Sequence, residues 1–457
     1  MRTIIKQTAR YLLLAAIMLP LISNAQTKTE DETFGYGNPT FWRPYSQNGI
    51  GVFETTKADT SVKYTGKKIR FGAGFTQQYQ SIQHENTLST IKTANTGRLF
   101  KLQPGLMTAQ ANLFIDAQLA DGITLNVTNY MSARHHNEFW VKGGYLQIDK
   151  LPFKGEFWDN LMKYATIKVG HFEVNYGDAH FRRPDGGNTI QSPFMEGNIM
   201  DAFATEIGGE IYLQNNGLFG MLGVTNGMIK GHVDSTYATT QDANVNRNPS
   251  LILKGGIDKQ INDDVRLRFS ASMYTNSSNA GSGLTLYSGD RTGSNYQNVM
   301  EVGQDAAGVA KAYTAMMSSG RYNPGFSKKI TAVMFNGFAK VRGFETFLTY
   351  ETAKGRSKTE TAERTANQFA LEGLYRFGAN EKFYIGAKYN TVSNKPSAAY
   401  TNDITINRTV IGGGYFITKN VLMKAEYVNQ EYKDFLSTDY RAGGKFKGFV
   451  IEAVVGF

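Results

Sequence analysis

Apolar and polar residues alternate with a period of two along most of this chain. In the stretch from Phe446 to Phe457, Phe449, Ile451, Ala453, Val455 and Phe457 share one face, while Glu452 and Gly456 fall on the other. Similar segments recur, and the alternation predicts sixteen strands: 67–82, 105–119, 123–133, 138–149, 164–175, 202–214, 218–228, 250–260, 265–276, 328–340, 344–353, 367–377, 382–392, 404–417, 421–431 and 445–457. At about 9–11 residues or more, most are long enough to cross a bilayer at a tilt. Strands of soluble sandwiches and propellers are usually shorter, about 5–6 residues.

The connections alternate as well. Ala120-Asp121-Gly122, Asn215-Asn216-Gly217, Asn262-Asp263-Asp264, Val341-Arg342-Gly343, Gly378-Ala379-Asn380 and Thr418-Lys419-Asn420 all fall at even-to-odd junctions. Their Asn, Asp and Gly content suits tight hairpins. The odd-to-even junctions carry the long segments, among them 83–104, 176–201, 229–249 and 277–327. Two junctions depart from this rule: 134–137 is short, and 150–163 is long, with room for one amphipathic helical turn. Short turns on one side and long loops on the other define a transmembrane, antiparallel, up-and-down all-β barrel. An aromatic residue in the closing position, Phe457, fits its last strand and a handover to the barrel-assembly machinery.

Residues 1–25 have the form of a secretory signal: Arg2, Lys6 and Arg10, an apolar run from Tyr11 to Ile22, and small residues before an expected cleavage after Ala25. The run is too short to span a bilayer as a helix, which takes about 20 residues. Residues 26–66 are expected as a periplasmic amino-terminal extension, with the barrel over 67–457. There is no Cys, which removes disulfides and thiolate chemistry. Without Arg2, Lys6 and Arg10, the 49 basic residues become 46 against 39 acidic ones, a net charge of +7. The basic residues are spread along the strands, which does not suit nucleic acid. The 48 Gly, 25 Tyr and 29 Phe, with a mean hydropathy of −0.36, suit a barrel wall around a wet interior.

The alternation also decides which side chains face inward, because a charge on the lipid face near the midplane costs about 2–4 kcal/mol. Ala111, Leu113, Ile115, Ala117 and Leu119 face lipid; Gln110, Asn112, Asp116 and Gln118 face the lumen. The inward cations are Arg70, Lys168, Lys254, Arg266, Arg268, Arg376, Lys388 and Lys424. The inward acids are Asp116, Glu206, Glu210, Asp258, Glu345, Glu351, Glu372, Glu426 and Glu452. Near-equal numbers suggest ion pairs across the wall for more than half of them. A barrel of sixteen strands is wide enough to leave an aqueous channel, so something must narrow it. The third surface loop, YGDAHFRRPDGGNTIQSPFMEGNIMD at 176–201, is the candidate. Two readings of it stand side by side. In one it folds inward as a constriction, with Arg182, Arg183 and Asp185 lining an anion path supported by Lys168, Arg266 and Arg268. In the other it is a surface loop whose arginines pair with Asp185 and Glu196.

The run Ile167-Lys168-Val169-Gly170-His171-Phe172-Glu173-Val174-Asn175-Tyr176-Gly177 resembles the hGxFxxxFG run of the phosphate-selective porin family of Gram-negative outer membranes, with Tyr176 where Phe is usual. Arg43-Pro44-Tyr45-Ser46-Gln47-Asn48-Gly49 through Val52-Phe53-Glu54 resembles the amino-terminal extension of related barrels. The resemblance implies a 16-stranded channel, trimeric as a rule, with a folded third loop and lumenal Arg and Lys guiding anions. The balance of inward acids and bases departs from that family's basic ladder.

The expected function is an outer-membrane porin for passive diffusion of small hydrophilic solutes, with a preference for anions if the arginines prevail and with no cofactor. The alternative is a barrel with a plugged lumen that binds a partner through its surface loops, 277–327 above all. Enzymatic motifs are missing from the sequence. His135-His136 is the one adjacent pair among six histidines, and neighbours on a strand point to opposite sides. His171 and His180 could approach across the third loop, with no Ser nucleophile in a matching position.

Overall fold

The computed structural model describes residues 35–36, 43–54, 64–90, 98–132, 138–184, 186–228, 238, 240–243, 246–279, 283–290, 293–304, 308–311 and 318–457. Sixteen antiparallel strands form its wall: β1 Lys68–Glu85, β2 Gln110–Ala120, β3 Ile123–Ser132, β4 Glu138–Ile148, β5 Ala165–Glu173, β6 Thr205–Asn215, β7 Leu218–Thr225 and β8 Ser250–Asn262. They continue as β9 Val265–Asn276, β10 Lys329–Val341, β11 Phe344–Arg356, β12 Arg364–Phe377, β13 Phe383–Asn394, β14 Ile404–Thr418, β15 Val421–Lys433 and β16 Lys445–Gly456. Each pairs with its sequence neighbours, and β16 pairs with β1 from Lys445↔Glu85 to Gly456↔Gly74, which closes the ring. Closure leaves no strand edge unpaired, the condition for a sheet to cross a bilayer.

The outer surface confirms the face assignment. Phe71, Phe75, Leu213, Leu222, Phe269, Phe335, Leu371, Ile385, Ile411, Phe449 and Ile451 point outward and are exposed. Near the turn end, Phe377, Phe383 and Tyr415 lie opposite one another on β12, β13 and β14 and stack with ring centroids 5.6 and 4.6 Å apart. A ring stack at the edge of an apolar band is an interfacial girdle. The long turn after β4 contains a helix, Glu156–Met162, with Phe157 and Trp158 exposed and Met162 buried, the amphipathic turn expected there. Between β6 and β7, Asn216 and Gly217 both take positive φ (48° and 81°), the geometry a two-residue hairpin requires. Histidines 135 and 136 lie outside the described residues.

The interior corrects the expectation of a largely wet lumen. Towards the loop end of β8–β16, inward positions are apolar: Ile252, Tyr274, Ile330, Met334, Val392, Ile404, Ile406, Val428 and Phe446 are all buried. They form one core with loop 3 (174–204, between β5 and β6) and loop 5 (277–328, between β9 and β10). Phe194, Met195, Ile199 and Met200 come from loop 3; Leu286, Tyr287, Tyr296 and Val299 come from loop 5. The reading by width alone missed this, because apolar residues inside these two loops supply the filling that wall side chains cannot. At the turn end, residues 43–54 enter the barrel mouth: the Gln47 amide donates to the Lys419 carbonyl (2.8 Å), and the Tyr45 ring stacks on Phe114 at 4.0 Å.

Candidate functional site: the lumen and its lining

Every inward cation named from the sequence has a carboxylate partner, and several pairs sit directly opposite in the strand register. Arg70 faces Asp116 (2.6 Å), Lys168 faces Glu210 (3.6 Å), Lys388 faces Glu372 (3.2 Å), and Lys424 faces Glu452. Arg376 reaches Glu345 at 2.9 Å and Arg266 reaches Asp258 at 2.7 Å. Three remaining acids take tyrosine hydroxyls. Tyr274 donates to Glu206 (2.5 Å), Tyr176 and Tyr287 donate to Glu351 (3.0 and 2.6 Å), and Tyr296 donates to Glu426 (2.6 Å). Tyr176, Tyr287 and Tyr296 belong to loops 3 and 5, so these carboxylates are sockets that hold the filling loops. No sequence signal connects a loop tyrosine with a wall glutamate 64 to 175 residues away.

Loop 3 is held to the wall at both of its ends. Its backbone amides donate to wall side chains: Asp178 to Asn336 Oδ1 (2.8 Å), Met195 to Glu426 Oε2 (2.8 Å), Ile199 to Asn390 Oδ1 (2.6 Å) and Met200 to Gln368 Oε1 (2.8 Å). A segment buried away from water needs such partners for its amides. Asp178 also receives Arg268 (2.8 Å) and Lys254 (2.7 Å), which bind Glu54 of the amino-terminal segment at 2.6 and 2.8 Å. Loop 3, the wall and residues 43–54 therefore share one ion network, to which Arg266 adds a hydrogen bond to the Gly51 carbonyl (2.9 Å).

This geometry separates the six residues nominated for an ion path. Arg182 is buried between Glu345 (2.8 Å) and Glu372 (3.1 Å). Arg183 is buried against Asp201 (2.7 Å), with Asp290 at 3.7 Å and the Phe203 ring beneath its guanidinium at 3.9 Å. Glu196, a partner the surface-loop reading proposed, instead binds Arg321 at 2.8 Å. Arg266 and Arg268 belong to the ion network. Asp185 lies outside the described residues. Of the five that are described, Lys168 lines open space.

That space is a cavity of about 240 Å³ between the β2–β6 wall on one side and loop 3 with residues 43–54 on the other. Along β6 it extends from Thr205 to Gln214, about 30 Å of strand at ~3.3 Å per residue. Asn112, Asn126, Thr128, Gln147 and Thr166 give it a neutral polar wall; Tyr45, Tyr145 and Phe181 give it rings. The Lys168 ammonium lies 4.3 Å from the Tyr145 ring centroid and 5.0 Å from that of Phe172. Its nearest carboxylate, Glu210, already accepts the Tyr212 hydroxyl (2.6 Å) and the Asn175 amide (3.0 Å). Arg43 enters from the amino-terminal segment. Its guanidinium donates to the carbonyls of Gly49 (3.0 Å) and Phe181 (2.9 Å), so its bonds go to neutral oxygens. Lys142, at the loop end of the cavity, pairs with Asp290. Glu173 and His180 also line the cavity, 3.6 Å apart, as does His171. Among the described residues no group of three or more metal-ligating side chains is placed to hold an ion.

Among solved structures, the barrel is similar to an anion-selective porin from Comamonas acidovorans: 9% identity, TM-score 0.50, covering 86% of this chain and 100% of that one. It is also similar to the outer membrane channel DcaP of Acinetobacter baumannii (9%, 0.49, 86% and 98%) and to in-vitro folded OmpT, an outer membrane protein of Vibrio cholerae (10%, 0.48, 87% and 99%). At these identities the likeness concerns the fold. No family model and no curated protein matches the chain. Closed strands, an apolar outer band and an aromatic girdle together make the chain a multi-pass outer-membrane β-barrel.

Proposed function

We propose that this chain is an outer-membrane porin whose solutes diffuse along the β2–β6 side of the lumen, with loop 3 and residues 43–54 as the opposite bank. The observation that carries the reading is the cavity itself, which follows β6 from Thr205 to Gln214 and is lined by hydroxyl and amide side chains interleaved with charged and aromatic ones. Hydrogen-bonding groups of no net charge suit hydrated small solutes and require neither cofactor nor energy input. The finer reading is a preference for anions. Lys168 and Arg43 supply positive potential along the cavity, while Glu54 is neutralised by Lys254 and Arg268. Export through residues 1–25 and insertion by the barrel-assembly machinery accompany this reading.

The test is planar-bilayer conductance of the purified barrel under a KCl gradient. Discrete steps, with a reversal potential of the sign set by chloride, are expected. Steps of the opposite sign would remove the anion preference and leave the porin. A correctly folded barrel that conducts nothing would overturn the porin and favour a lumen plugged by loops 3 and 5.

A further inference from the structure

The cations that face this cavity are accompanied by aromatic rings, and that pairing narrows the class of solute. Lys168 lies over Tyr145 and close to Phe172, and Arg43 lies 5.6 Å from the centroid of Phe181. Tyr45, two residues beyond Arg43, stands on Phe114 and also borders the cavity. A small inorganic anion gains nothing from a ring face and must shed its hydration to approach the charge. An anion with a flat or apolar body can lay that body on the rings while its carboxylate meets the ammonium or the planar guanidinium. The volume sets an upper size. About 240 Å³ is below the range of roughly 300–1,000 Å³ typical of pockets for drug-sized ligands. Glu173 opposes anions here, and its carboxylate stands 3.6 Å from His180 at the loop-3 end; this favours a single negative charge over a multiply charged anion such as phosphate.

We infer that the cavity is a selectivity site for small organic monoanions, carboxylates with an aromatic body, and that Lys168 and Arg43 are its two cationic contacts. The inference rests on the porin reading. It also gives the amino-terminal segment a role in selection, since Arg43 and Tyr45 reach the lumen only because residues 43–54 are locked into the barrel mouth. Gly49 shows how closely that segment is fitted: a Cβ there would stand 2.1 Å from the Pro44 carbonyl oxygen and 2.4 Å from Gln191 Nε2.

The experiment adds benzoate, acetate or phosphate to full-length barrels conducting KCl in a planar bilayer. Current block and the reversal potential against each potassium salt are then recorded. Benzoate should block saturably and permeate better than its free mobility predicts, while acetate and phosphate should do neither. Lys168→Gln and Arg43→Gln should each raise the half-blocking concentration of benzoate by roughly tenfold, the effect of one charge-assisted contact. Tyr145→Ala should weaken benzoate block while the charge count stays the same. Benzoate and acetate acting alike on channels with intact KCl steps would overturn the inference and leave the porin. Equal benzoate block in wild type and all three variants would overturn it as well. Absence of KCl steps in wild type would overturn the porin reading itself, so the two failures are told apart in one preparation.

Discussion

Between β8 and β15 the inner wall meets loops 3 and 5 across a continuous apolar core; between β2 and β6 the same kind of wall meets an open cavity. The difference lies in the inward slots near the loop end. On the first side they hold Ile252, Ile330, Met334, Val392, Ile404 and Ile406, all buried. On the second they hold Asn112, Asn126, Thr128 and, on β4, Lys142. Burial of apolar surface is worth roughly 25 cal/mol per Å², so inward isoleucines draw loop residues such as Met195 and Ile199 onto themselves. Amides and hydroxyls offer no such gain and leave the lumen open. In a wide barrel, the polarity of inward positions, strand by strand, tells where loops will settle and where a path will remain.

The strongest way to break the comparison is to release loop 3 from the packed side. Asp178 joins Lys254 and Arg268 inside the barrel and accepts the Ser270 hydroxyl at 2.8 Å. Asp178→Ala leaves two buried cations with Glu54 as their main partner. Removing one member of a buried ion cluster costs about 3–5 kcal/mol. The folded, heat-modifiable band should convert to the unfolded one at a clearly lower temperature. Single-channel conductance should rise as the loop leaves its bed; conductance and conversion temperature both equal to wild type would show that the network does not hold the loop.

A smaller effect sharpens the comparison by charge. Arg183 and Lys168 are both lumenal cations, one sealed against Asp201 and the other beside the cavity. Lys168→Glu should move the KCl reversal potential towards cations. Arg183→Gln should leave that potential in place and lower thermal stability, because it leaves buried Asp201 with Arg321 as its remaining cation and takes a cation from Asp290. A reversal potential that follows Arg183 and ignores Lys168 would place the path on the packed side.

How much of this was readable from the sequence follows from the same physics. The strands were legible because lipid demands an apolar face at every second residue, and the observed ends differ from the alternation mainly beyond the bilayer. β11 runs to Arg356 instead of 353, and β12 begins at Arg364 instead of 367. Both faces are polar there, so the period of two carries no hydrophobic signal. β2 begins at Gln110 instead of 105: Gly105 and Leu106 pair with β1 as a separate short stretch, and the ladder resumes at Gln110. Lys168 was legible for its inward parity. The arginines of loop 3 were legible only as a choice between a constriction and surface ion pairs, and their burial was not, since Glu345, Glu372 and Asp201 reach them only through the fold. Arg43 left no trace in the alternation; the likeness of the segment that it opens to other barrels' extensions drew attention to that stretch without indicating what it touches.

The smallest effect concerns the seam that fastens loop 5 to loop 1, the segment between β1 and β2. Leu99 bridges Val302, the Phe100 amide donates to the Glu301 carbonyl (3.0 Å), and the Met300 amide donates to His84 Nδ1 (2.9 Å). The Glu301 side chain takes the Ser319 hydroxyl at 3.2 Å, and burial pushes its carboxyl up to about 7. An acid whose folded pKa is raised favours folding when protonated, so its contribution is present below the ordinary carboxylate range and is lost as pH rises through about 7. Above that pH a buried charge forms under loop 5, and the seam should open more often. Amide exchange at 298–303, corrected for its intrinsic pH dependence, should therefore accelerate as pH rises from about 4.5 to about 7 and level off above that value. Glu301→Gln should remove the acceleration while exchange in β10, deep in the packed wall, stays slow throughout. If the Gln variant keeps the full pH dependence, Glu301 is not the group that titrates the seam, and the packed side of the lumen is closed as firmly at its outer lid as along its wall.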